Sequence, residues 1–105
     1  MNILSLASPQ SNFRDKEIVK CVERALQRFD PKLSVVAFSK FEVDHALAKE
    51  DIVFRPELFA RILQQIFRFG SRYVEKEILN ELKKEFGLVE VEHLTLAGAI
   101  RQIRQ

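Results

Sequence analysis

Apolar positions recur along this chain at steps of three and four residues, the spacing that gathers side chains on one face of an α-helix. From Asn12 to Phe29 the series is Ile18, Cys21, Val22, Ala25, Leu26 and Phe29, which predicts an amphipathic helix. Asp30-Pro31 ends it and starts another, with Asp30 as N-cap and Pro31 at the first helical position, where a missing N–H costs nothing. Leu33, Val36, Ala37 and Phe41 then share one helical face, with Val35 and Phe38 on a neighbouring one. Their β-branched and aromatic character would also suit a strand over 33–43. The Asp-Pro start and the lack of a partner strand favour helix, from Pro31 to about His45. Leu47 to Phe54 reads as a connecting loop.

The clearest unit runs from Arg55 to Gly87. RPELFARILQQIFRFG and SRYVEKEILNELKKEFG are two amphipathic runs, each closed by a glycine. Pro56 suits a helix start, and Gly70 and Gly87 suit the left-handed residue just past a helix end. The third helix is therefore expected over Pro56 to Phe69, with Phe59, Ile62, Leu63, Ile66 and Phe67 as its apolar stripe. The fourth is expected over Ser71 to Phe86, with Ser71 as N-cap, Glu75 close behind, and Val74, Ile78, Leu79, Leu82 and Phe86 turned inward. Leu88 to Leu94 looks extended. Thr95 can cap a last short helix, Leu96 to Gln102, with Ala97, Ile100 and Ile103 inward. The pattern predicts an all-α fold, a small single-domain bundle of about four to five helices centred on an antiparallel helical hairpin. Residues 1–11 form a loose arm ahead of a helical domain over 12–105.

Composition narrows the class. With 105 residues, nine Phe, one Tyr and no Trp, the chain can build one core that leans on phenyl rings, and self-association would add stability. Three Gly and three Pro leave little room for an all-β design. The net charge of +2 arises from 17 basic and 15 acidic residues spread without blocks, a solubility pattern more than a nucleic-acid footprint. A lone cysteine excludes an internal disulfide framework and fits a reducing compartment. The opening MNILSLASPQ lacks a positive n-region and is too short to span a bilayer, so a cytoplasmic protein without membrane contact is the expectation.

The stretches LAKEDI, RPELFARILQQIF and FGSRYVEKEILNELKKEFGL, in that order, resemble the small archaeal family usually called the Nitrosopumilus output domain. The resemblance covers roughly Ser34 to Leu88. It is carried by Glu50, Asp51, Ile52, Pro56, Glu57, Phe59, Phe67, Gly70, Glu75, Phe86, Gly87 and Leu88. It implies a regulatory or signal-output part without catalytic residues, and it names neither ligand nor target.

Candidate chemistry is sparse. Cys21 falls on the apolar side of its helix, where a free cysteine is a small hydrophobe. His45, His93, Asp44, Glu90 and Glu92 show no metal-ligand spacing, and Asp44 and His45 read as surface residues at a helix end. Neither a cofactor nor a metal site is expected, and nothing assembles a nucleophile, base and oxyanion site. Lys16, Lys20, Arg24 and Arg28 form a four-residue-spaced basic stripe, which Arg14 and Lys32 could extend; a solvated face is the plainer explanation, a phosphate contact the other. Arg68 and Arg72 bracket the hairpin turn. DNA binding by the helix after it is disfavoured by Glu75, Glu77, Glu81 and Glu85, so those arginines should cap carbonyls or pair with the glutamates.

The leading expectation is a non-enzymatic regulatory or protein-interaction module that self-associates, as a homodimer, through Phe69, Tyr73 and Phe54. The alternative is a nucleic-acid-binding transcriptional regulator using Lys16, Lys20, Arg24, Arg28, Arg68 and Arg72.

Overall fold

The computed structural model describes residues 9–88 and 94–105, and every regular element among them is helical. The α-helices are α1 (Pro9–Phe29), α2 (Pro31–Ser39), α3 (Pro56–Phe67), α4 (Ser71–Phe86) and α5 (Leu96–Arg104). α1 starts ahead of the Asn12 that the periodicity indicated. The rest of the expected arm, 1–8, and most of the expected extended stretch, 89–93, including His93, Glu90 and Glu92, lie outside the described residues.

Local sequence sets the boundaries as expected at three places. The Asp30 carboxylate accepts from the N–H groups of Lys32 and Leu33 at 3.0 and 3.2 Å, capping α2. Thr95 Oγ1 accepts from Gly98 N–H at 2.9 Å and caps α5. Gly87 takes φ +62°, and its N–H donates to the Lys83 carbonyl at 2.8 Å, closing α4.

Segment 33–43 is helical as expected, α2 ending at Ser39 and passing into a π-helical turn, Lys40–Asp44, that carries it on to His45. Its apolar residues are only partly covered: Ala37, Phe38 and Phe41 are buried, whereas Val35 and Val36 face outward. The expected loop contains a 3₁₀ turn, Lys49–Val53, because Ile52 and Val53 are drawn into the core against α1 and α3. Asp51 anchors that turn by accepting from Ala48 N–H at 2.9 Å.

A further correction concerns the α3–α4 junction. α3 stops at Phe67, and residues Arg68–Gly70 form a 3₁₀ turn. The positive φ falls on Arg68, at +50°, while Gly70 sits at −81°. Gly70 rather than Ser71 occupies the N-cap of α4, so no side chain caps that helix. Only one residue of such a tight turn needs the unusual backbone, and the turn starts at Arg68.

α4 is the central element, packing against α1, α3 and α5, and its most extensive interface is with α1 rather than with its hairpin partner α3. The α1–α4 interior holds Ile18, Val22, Ala25, Leu26, Val74, Ile78 and Leu82, all fully or almost fully buried. A phenyl cluster extends the core: Phe59 meets Phe41 edge-on at 5.6 Å and Phe38 at 5.5 Å between ring centres. α5 closes the open side with Leu96, Ala99 and Ile100, and Arg104 reaches Asp15 at 3.0 Å across the molecule. Phe29, expected inside, is half-exposed and meets Phe67 edge-on, at 5.8 Å between ring centres.

Leu63 is fully buried on α3. Truncation to alanine removes its apolar contacts and leaves a cavity, so Leu63→Ala should lower unfolding stability by about 2–5 kcal/mol, read as a shift of the urea midpoint at unchanged slope.

Candidate functional site: an ion-pair seam beside an aromatic, cationic corner

Two features of α4 follow from how its charges are sorted. Glu77, Glu81 and Glu85 recur every four residues and so share one helix face. That face meets the Arg24 and Arg28 side of α1. Arg24 Nε donates to Glu81 Oε2 at 2.9 Å and Arg28 Nη2 to Glu81 Oε1 at 3.0 Å, so one carboxylate is clamped by two guanidinium groups. Arg24 also pairs with Glu85 at 3.6 Å, and Arg28 donates to Glu77 at 3.4 Å. Arg28 meets the earlier glutamate and Arg24 the later one, so α1 and α4 run antiparallel.

Glu81 is 7% exposed and its two oxygens each have an arginine, which satisfies a carboxylate that burial would otherwise penalise. Hydrogen bonding from Arg24, then from Arg28, holds its carboxyl below the ordinary 4.5, while Arg24 and Arg28 are raised above their usual range chiefly by the same bonds to Glu81. Glu75, half-buried and without an ion pair among the described residues, is pushed the other way by desolvation. It lines a shallow concavity of about 390 Å³ with Glu57, Arg61 and Arg101. Arg101 pairs with Glu57 there.

The basic stripe expected from sequence is thus divided. Arg24 and Arg28 are committed to the seam, Lys20 pairs with Glu17 at 3.5 Å, and Lys16 stays exposed on α1. Arg14 donates to the Ile103 carbonyl at 3.1 Å. Among the described residues Arg68 and Arg72 neither cap carbonyls nor pair with the α4 glutamates, of which Glu77, Glu81 and Glu85 face α1 instead. Among the described residues Arg68, Arg72, Lys76 and Lys84 enter no ion pair.

Sorting the acids inward leaves the outer face of α4 cationic and aromatic. Phe69 is 98% exposed and Tyr73 66% exposed. Tyr73, Lys76 and Asn80 of α4, with Arg28 and Phe29 of α1 and the paired Glu77, line an open groove of about 780 Å³. Phe54, the third expected interaction residue, is also exposed but lies elsewhere: the Arg104 guanidinium covers its ring at 4.4 Å and ties it to Asp15. Asp15 and Phe29 are about 21 Å apart along α1, so Phe54 does not belong to the Tyr73 corner. Sequence reasoning named Phe69 and Tyr73 but missed Lys76 and Phe29; the signal for Lys76 was its place one turn from both Arg72 and Tyr73.

Cys21 is fully buried in the α1 face, with Arg24 Nη2 at 3.4 Å from its sulfur; burial pushes the thiol up to about 11. Asp44 is exposed and receives Lys40 at 3.0 Å, and His45 is exposed beside it. Among the described residues no three His, Cys, Asp or Glu side chains converge as a metal site, and no helix is long and apolar enough to cross a membrane. The chain matches no protein-family model, no curated protein and no solved structure.

Two outcomes follow from these environments. A depressed carboxyl pKa contributes stability above the ordinary value of 4.5 and loses it as pH falls. Glu81→Gln should therefore cost about 1–3 kcal/mol at neutral pH, and its deficit against the parent should shrink below pH 4.5. Urea titrations across that range check both sign and size. Cys21, buried and protonated, should resist Ellman's reagent in the folded protein at neutral pH and react fully once unfolded.

Proposed function

We propose that the protein is a non-enzymatic protein-interaction module whose docking surface is the corner formed by Phe69 and Tyr73 at the α3–α4 junction. The observation that carries this reading is the presentation of Phe69. Its ring is almost wholly in water, and the residue before it, Arg68, holds a positive φ that a non-glycine residue adopts at a cost of about 1–3 kcal/mol. The turn itself accounts for that backbone, and its effect is to hold the Phe69 ring out in water, where core packing makes no use of it and a contact site would.

The nucleic-acid alternative loses its principal cations, because Arg24 and Arg28 are already paired with Glu77, Glu81 and Glu85, whose three carboxylates outnumber them. A phosphate backbone would have to compete for them. Self-association remains the second reading, favoured by how little of its apolar surface a chain of this length can bury.

A benzophenone analogue of phenylalanine placed at position 69 tests the reading directly, since the exposed site tolerates it. Irradiation in the cells that produce the chain should give a discrete protein adduct at position 69, and none when the same group replaces Val43, which is exposed on the π-helical turn. Adducts to nucleic acid alone, or the same adducts from both positions, would refute it.

A further inference from the structure

The corner's chemistry narrows its occupant. Phe69, Tyr73, Lys76 and Asn80 follow one another at steps of four, three and four residues, so they continue one face of α4 back through the turn. Arg72 lies one turn before Lys76, and Arg68 precedes Phe69. Among the described residues the three cations enter no ion pair: Glu77 and Glu81 are held by α1, and Glu75 lines the separate concavity with Glu57 and Arg101. Glu77, the one carboxylate lining the groove among the described residues, is paired with Arg28. The N-terminal end of α4 has no side-chain cap and adds positive potential at the same place. Exposed rings beside a groove, ringed by unpaired cations, call for a ligand with apolar anchors and negative charge.

We propose that this face takes an acidic amphipathic segment of another protein. Its apolar side chains enter the groove between Phe29 and Tyr73 and cover Phe69, while its carboxylates meet Arg68, Arg72 and Lys76. The assignment rests on the reading of this corner as a docking surface. It sets aside a symmetric second copy, since a two-fold contact brings the same cation-rich patch from both sides and supplies no carboxylates to meet Arg68, Arg72 and Lys76. It also sets aside nucleic acid: three unpaired cations make a short track for phosphates, and the groove is lined by Glu77 as well as by rings.

The protein carries its own reporter. Tyr73 is the sole tyrosine and there is no tryptophan, so tyrosine emission reads from inside the proposed site. The probe is a synthetic helical peptide with Leu and Phe on one face, Glu and Asp on the other, and no Tyr or Trp. Two controls accompany it: one with Lys and Arg in place of the acids, and one keeping the acids with Ser in place of Leu and Phe. The acidic amphipathic peptide should change Tyr73 emission saturably, with affinity falling as salt rises. Phe69→Ser should weaken it about tenfold or more. The triple variant R68Q/R72Q/K76Q should weaken it about tenfold, and R68E/R72E/K76E should transfer preference to the basic control. All these side chains are exposed, so thermal melting should match the parent.

Binding of the basic and acidic peptides with equal, Phe69-dependent affinity would keep the docking surface and overturn the acidic partner. Concentration-dependent Tyr73 emission abolished by Phe69→Ser, with no response to peptide, would make the occupant a second copy. Binding of a DNA or RNA oligonucleotide that ignores Phe69→Ser, or no response to any probe, would overturn both the partner and the docking surface.

Discussion

The antiparallel contact between α1 and α4 is what the rest of the molecule is built around. Its interior is a dry layer of Ile18, Val22, Leu26, Ile78 and Leu82, and its margin is a ladder of opposite charges. The apolar layer supplies most of the stabilisation, because exposed or half-exposed ion pairs contribute little apiece. The ladder fixes something else. Arg28 with Glu77, both arginines with Glu81, and Arg24 with Glu85 define how far one helix may slide along the other, and α3 and α5 pack against α4 in that register.

That same pairing shapes the outer surface. With acids spaced four apart on the inner margin of α4, the cations Arg72 and Lys76 are left opposite them, beside Tyr73 and the projecting Phe69. The electrostatic character of the corner is thus a by-product of how the interior is sealed. An amphipathic helix divides apolar from polar; this one further divides negative from positive, and the second division is the one that bears on recognition.

How much of this was legible depends on the range over which each feature is encoded. The caps at Asp30 and Thr95 and the glycine stop at Gly87 are local, and the sequence announces them within four residues. The 3₁₀ turn at Lys49–Val53 was hidden because its two buried residues, Ile52 and Val53, are too few to show a period. Arg68 was hidden because a glycine two residues later was the natural bearer of a positive φ. The Arg24 and Arg28 pairs connect positions 57 and 53 residues away, beyond any periodicity window. Even so, two matching stripes were present in the chain, cations and acids each stepping by four, and their complementarity was a readable signal for an antiparallel pairing of α1 with α4.

The separation of those partners has a consequence during synthesis. α1 leaves the ribosome with Ile18, Val22 and Leu26 on one uncovered face, and the helix that covers it comes more than fifty residues later. At elongation rates of about 5–20 residues per second, that face waits on the order of 3–11 s. Neither α2 nor the 3₁₀ turn is large enough to replace α4 in the interval. The nascent chain therefore passes through a window in which its first helix is a sticky amphipathic segment, open to chaperones and to neighbouring chains on the same message.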